Sequence, residues 1–177
     1  MNVARAALVV VDVQNGFITE RSQHVVPKVL DLVRRWEAAQ RPLVFTRYHN
    51  YPGSLYERLI HWSKLHGPPE TDIVPELIPH AGAARALIDK KIYSCFTPDF
   101  VSLVQDEGWT DLIFCGIATE SCVLKSAVDA FEHNLTPWLV TDASASHGGQ
   151  AAHDAGLLVA RRFIGAGQLV TSADVLF

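Results

Sequence analysis

Three cysteines in 177 residues, none in a C-x-x-C pair, are too few for the disulfide framework of a small secreted protein. Their odd number suits a reducing compartment, and a cytoplasmic location is expected. Positive charge is not in excess. Fifteen Lys and Arg against 19 Asp and Glu give a formal net charge of -4, so the concentrated basic surface of a nucleic-acid binder is missing and no such partner is expected. No apolar run is long enough to span a bilayer, and the first is cut by Asp12, so no membrane partner is expected either. The N-terminus shows no signal-peptide pattern. There is no internal repeat, low-complexity tract or linker. After the first apolar run stands DVQNGF, with one glycine, which excludes the G-x-G-x-x-G dinucleotide fingerprint; a P-loop is absent too. Gln14 breaks the D-x-D-x-T pattern of aspartyl-phosphate phosphatases.

What is present is core-forming material. Hydrophobic residues make up 49% and charged residues 19%, and a chain of this length buries roughly 70% of its unfolded surface. Residues 1–177 are read as one domain. Ala6–Val11 is a continuous apolar run, as a strand covered on both faces requires. Similar runs follow at Pro42–Thr46, Ala86–Ile88 (ending near Lys90), Asp111–Cys115, Pro137–Thr141 and, weakly, Gln168–Thr171. Between them the spacing predicts helices over Val25–Gln40, Phe100–Glu107, Thr119–Asn134 and Gln150–Ile164. Tyr51–Pro79 is broken by glycine and proline, with a helix expected over Leu55–Leu65. The alternation predicts an α/β fold: a three-layer α/β/α domain with a mostly parallel six-stranded sheet.

Ligands of such sheets sit beyond the carboxyl ends of the strands. Asp12 follows the first run, Lys90 the third, and Cys122 lies six residues after Gly116 at the end of the fourth. Singly, each has an ordinary reading: a turn aspartate, a solvated lysine beside Lys91, a small core thiol. Together they supply an acid, a cation and a nucleophile at one sheet edge. Thr119 is the expected N-cap of the following helix, which puts Cys122 in a first turn where the dipole and free N–H groups favour thiolate. Cys115, inside an apolar run, is expected to be inert, and nothing places Cys95 at a helix start.

The segments VVVDVQNGF, DKKIYSCF, CGIATESCVLKSAVDAF and VTDASAS, in that order, resemble the isochorismatase-like cysteine hydrolases, a superfamily of nicotinamidases, N-carbamoyl amide hydrolases and isochorismatases. The resemblance implies a catalytic triad of Asp12, Lys90 and Cys122, with Lys90 preferred to Lys91 because the family lysine stands six residues before the phenylalanine, here Phe96. It further implies a cis peptide at Ile117–Ala118, an oxyanion hole from the N–H groups of Ala118 and Cys122, and Phe17 as a pocket wall. Arg47, Tyr48, Trp62 and Tyr93 are candidate pocket residues, Arg47 as a carboxylate binder. Metal-binding nicotinamidases carry an Asp-x-His near strand two. Here that stretch is Arg47-Tyr48-His49, and the spacings of His49, His61 and His66 match no zinc motif, so neither metal nor cofactor is expected. The cysteine favours cleavage of a C–N bond in a small amide, ureide or carbamoyl compound over enol-ether cleavage by acid chemistry. The alternatives are hydrolysis of a different bond and a non-catalytic binding or scaffold protein on the same fold. A homodimer or homotetramer is expected, with the apolar Tyr51–Pro79 segment, Trp62 included, helping to make both its interface and its pocket.

Overall fold

A computed structural model describes residues 3–175. All six residues of β1 (Ala6–Val11) are buried, and their side chains alternate between two apolar clusters. Ala6, Leu8 and Val10 join one; Ala7, Val9 and Val11 join the other. That alternation is the two-residue period of a strand covered on both faces. β2 (Leu43–Tyr48), β3 (Ala86–Lys90), β4 (Asp111–Ile117), β5 (Thr136–Ala145) and β6 (Leu169–Val170) complete a six-stranded sheet in the order β3-β2-β1-β4-β5-β6. Every pairing is parallel.

Helices supply the two outer layers. α1 (Val25–Ala38) presses Val29, Leu32, Val33 and Trp36 onto one face. On the other face lie α4 (Pro98–Glu107) with Phe100 and Val104, α5 (Leu124–Glu132) with Ala127 and Ala130, and α6 (Gln150–Phe163) with Ala160. Two short helices, α2 (Leu55–Ile60) and α3 (Ile78–Ala83), lie between β2 and β3. No helix among the described residues is long and apolar enough to cross a membrane.

The structure departs from the sequence reading where polar residues continue a strand or a backbone angle stops a helix. β2 runs on through Arg47 and Tyr48, paired with Asp89 and Lys90, and β5 continues to Ala145. α2 stops at Ile60, short of Leu65, because His61 adopts a left-handed φ of 55°. The helix expected from Thr119 is two elements: a π-helical turn over Thr119–Val123, then α5. Thr119 is not its cap. Ala118 holds that position, and the Thr119 hydroxyl is 2.8 Å from His153 Nδ1 on α6.

The chain leaves β1 towards β2 and β3, then returns to β4 on β1's other side. The carboxyl ends of β1 and β4 therefore form the crevice where parallel sheets hold ligands. Gly116 makes this closeness possible. Its φ is 118°, and a Cβ there would lie 2.1 Å from the Val11 carbonyl oxygen. Gly116→Ala is therefore expected to lower stability by at least about 2 kcal/mol, through backbone strain and a clash that side-chain repacking cannot relieve. Urea denaturation followed by circular dichroism checks this; a midpoint like the parent's would show that the two strands can separate there without cost.

Candidate active site

Asp12 follows β1 with a left-handed φ of 49°, and its side chain is fully buried. Thr46 of β2 donates its hydroxyl to Asp12 Oδ1 at 2.6 Å and accepts the Asp12 N–H at 3.2 Å. The other oxygen, Oδ2, receives Lys90 Nζ at 2.6 Å. Lys90 ends β3 and reaches past β2 to make this contact. Its remaining donors go to the carbonyls of Ile92 and Tyr93, both at 3.0 Å. An ammonium has three donors, and all three are used. Burial works against the Lys90 charge, but the Asp12 carboxylate and Cys122 more than offset it, and its pKa is raised.

Gln14, read in the sequence only as a break in a phosphatase motif, clamps the β1 end. It donates to the carbonyls of Tyr48 and Thr71 at 2.9 and 2.8 Å and accepts the Tyr48 N–H at 2.8 Å.

Cys122 stands in the π-helical turn. Ser126 Oγ donates to its carbonyl at 2.7 Å and accepts the Cys95 N–H at 3.0 Å, tying the turn to the segment after Lys90. The Ile117–Ala118 peptide just before the turn is cis. Burial pushes the Cys122 thiol up to about 12; Lys90 pulls it down and Asp12 adds to the rise. Burial thus opposes the thiolate expected from the helix start. Lys90's charge is already answered by Asp12, so burial prevails and the thiol stays protonated. Cys95 and Cys115 are completely buried, and burial raises both.

Above Cys122 opens a pocket of about 200 Å³, lined by aromatic rings: Phe17, Tyr48, Tyr56, Trp62 and Tyr93. Phe17 stacks on Trp62 with centroids 5.8 Å apart, and Tyr56 meets the edges of Tyr48 and Tyr93 at 5.1 and 5.0 Å. Of the candidate pocket residues, Phe17, Tyr48, Trp62 and Tyr93 are brought together with Cys122. Arg47 is not. It makes a two-pronged contact with Asp89 at 2.8 and 3.0 Å and lines a separate depression with Asp72 and Ile78. Strand alternation accounts for this: Arg47 points opposite to its neighbour Tyr48. Trp62 stacks on Phe17 in the pocket wall. The sequence reading missed Tyr56, Glu120, Ser121 and His147, which complete the lining with Ile60. His147 follows the VTDASAS run directly, so the strand-end rule that found Asp12 pointed to it as well.

The histidines near strand two form no cradle. His49 Nε2 lies 3.0 Å from Asp89, His66 Nε2 lies 2.9 Å from Glu57, and His61 closes α2. Among the described residues, no group of three His, Cys, Asp or Glu side chains is placed to hold a metal.

Comparison with known proteins fits this geometry. Residues 6–174 match the isochorismatase domain family. The chain is 25% identical over 158 residues to nicotinamidase 3 of Arabidopsis thaliana, covering 86% of this chain and 79% of the relative. It is 30% identical over 153 residues to a probable isochorismatase of Pseudomonas chlororaphis, covering 80% and 72%. Its fold resembles that of N-carbamoylsarcosine amidase from Thermoplasma acidophilum, with a TM-score of 0.83, 23% identity and coverage of 98% and 99%.

A thiol held near 12 by burial gives a definite pH dependence. The protonated form predominates well below that value, so iodoacetamide labelling of Cys122 should climb about tenfold per pH unit between pH 7 and 9. Mass-spectrometric mapping of the adduct measures the rate. Levelling off by pH 8 would reveal a preformed thiolate. Cys95 and Cys115, with no exposed surface, should remain unlabelled while the protein is folded.

Proposed function

The chain belongs to the isochorismatase domain family, and we propose that it is a cysteine-dependent hydrolase of a C–N bond in a small amide, ureide or carbamoyl compound. The observation that carries this reading is a thiol that lines an aromatic pocket and lies against a buried carboxylate–ammonium pair. As Cys122 Sγ attacks the substrate carbonyl carbon, its proton passes to Asp12. The N–H groups of Ala118 and Cys122 hold the developing oxyanion. When the tetrahedral species collapses, the C–N bond breaks and Asp12 returns the proton to the departing nitrogen, leaving a thioester on Cys122. Water then gives its proton to Asp12 and attacks the thioester. The C–S bond breaks, the thiol recovers its proton, and the acid departs. Lys90 holds Asp12 in place throughout.

A second reading is favoured by the probable isochorismatase among the relatives: acid chemistry led by Asp12, in which the thiol takes no part. A panel of small primary amides, ureides and carbamoyl compounds, assayed for ammonia release, separates the two. Cys122→Ser should lose on the order of a hundredfold or more in turnover, because a hydroxyl ionises far less readily than a thiol. Asp12→Asn should fall at least as far, since the base is removed while the shape is retained. Near-parental turnover by folded Cys122→Ser would exclude the thioester route.

We also propose that the active unit is a homodimer or homotetramer in a reducing cytoplasm. Leu55, Leu59 and Ile60 are 55%, 70% and 56% exposed on α2, and Ile92 adds to the same side. Apolar surface of this kind is characteristic of association sites. Light scattering at micromolar concentration should give a multiple of the monomer mass, and Leu59→Glu should shift it towards one chain. A monomeric active parent would end this proposal.

A further inference from the structure

Three tyrosines line the Cys122 pocket, and their hydroxyls are differently engaged. Tyr48 donates its hydroxyl to Asn50 Oδ1 at 3.3 Å. Asn50 also accepts from Ser54 Oγ at 2.7 Å and donates to the Trp62 carbonyl at 3.0 Å, which ties the start of α2 to two pocket walls. The Tyr56 hydroxyl has no partner among the described residues. It is not sealed in either. The buried side-chain polar atoms left unpartnered among those residues are Glu120 Oε2 and His147 Nδ1, whereas half-buried Tyr56 keeps accessible surface on its hydroxyl. That hydroxyl lies within electrostatic reach of the reacting groups. Burial above all, then Tyr93 and Cys122, push its pKa up to about 12 against the pull of Lys90, so it is a neutral donor and acceptor at pH 7.

The ring is held in place. It meets the edges of Tyr48 and Tyr93, with centroids 5.1 and 5.0 Å away, and α2 is capped by Ser54, which accepts the Glu57 N–H at 3.2 Å. A molecule that fills the pocket therefore strips water from a hydroxyl that cannot turn to another partner. Unless the molecule supplies a hydrogen bond, that desolvation is uncompensated. The ionic groups nearby do not compete for the role. Lys90 has its three acceptors, and Arg47 is engaged with Asp89 outside the pocket. The Glu120 carboxylate is turned to Ser146 and Gly148, with Oε2 closed off. Polar recognition thus falls to neutral hydroxyls. Ser121, whose side chain also has no partner among the described residues, is the competitor to Tyr56.

We infer that Tyr56 is a specificity-determining residue whose hydroxyl selects a small amide carrying a second hydrogen-bonding group, a hydroxyl or carboxamide, over an apolar one of the same shape. The substrate class rests on the proposed amide chemistry at Cys122. The discrimination comes from the unmatched case: an apolar group placed against Tyr56 buries the hydroxyl unpaired, whereas a group that both donates and accepts satisfies it.

Two probes of one shape differ only in a terminal atom: 4-(hydroxymethyl)benzamide and 4-ethylbenzamide. Their 3-substituted isomers test a second distance from the carboxamide. Calorimetric titration of Cys122→Ala protein reads binding without turnover. In at least one isomer series the hydroxymethyl probe should bind about fivefold or more tightly than the ethyl probe, despite the ethyl group's greater hydrophobicity. Adding Tyr56→Phe, which keeps the ring contacts and removes only the hydroxyl, should abolish that preference by weakening the hydroxymethyl probe alone. Adding Ser121→Ala should leave it in place. No preference in either series, a preference that survives Tyr56→Phe at a parental melting temperature, or one that is lost only in Ser121→Ala would overturn the inference. Ammonia release by the parent, assayed separately, keeps the two ideas apart. The expected preference without release would sink the hydrolysis reading alone, and release without the preference would sink the recognition alone.

Discussion

The Asp12–Lys90 ion pair is the constraint on which the rest of the site depends. Both side chains have zero solvent exposure, and removing two charges from water costs several kcal/mol per ion unless the geometry and remaining hydrogen bonds recover it. Here every remaining polar group has a partner. Lys90 has an acceptor for each of its three donors, and the second Asp12 oxygen is held by Thr46. The pair joins strands that are not neighbours, since β2 lies between β1 and β3. It therefore fixes the carboxyl ends of three strands relative to one another. Loss of either partner would leave a buried charge alone, so the pair supports the local fold as well as the chemistry.

The same pair decides the state of the thiol. Lys90 pulls the Cys122 thiol towards thiolate, and Asp12 works against it. Burial then governs, and the proton stays on sulfur. Under the proposed mechanism this assigns the work to Asp12: the nucleophile is generated during attack, not stored beforehand. A protonated resting thiol is also less open to oxidation and adventitious alkylation than a thiolate. The cost is dependence on the substrate being held in place while the proton moves, which the stacked walls of Phe17, Trp62 and the three tyrosines provide.

The sheet and the Asp, Lys and Cys positions were legible in the sequence because each rests on a local signal. β1 is a continuous apolar run with a polar residue at its end, and β4 repeats that pattern with Gly116. What could not be read was set by distant partners. Arg47 and Tyr48 both looked like pocket residues, and only the register against Asp89 and Lys90 sends one to the pocket and the other to a surface ion pair. Thr119 carries a good capping side chain, yet His153, 34 residues later, takes its hydroxyl. Trp62 looked like an interface anchor because the segment is apolar. Its ring stacks on Phe17, 45 residues earlier, in the pocket that the sequence reading also named for it, and α2 exposes Leu55, Leu59 and Ile60.

The π-helical turn carrying Cys122 shows why no contiguous motif specifies this site. A wider turn is held open only when neighbours compensate for its poorer internal bonding. Three do so here. α6 presses Gly156 against the Glu120 backbone, where no side chain would fit. His153 of the same helix engages Thr119. Ser126 of α5 bridges the Cys122 carbonyl and the Cys95 N–H, coupling the turn to the loop whose carbonyls hold Lys90. The nucleophile and the ion pair are thus connected through backbone as well as through space. A shift of α6 would move Glu120 and Cys122 together, since they share one turn. The packing contact between Gly156 and the Glu120 backbone therefore also sets the position of the sulfur two residues away.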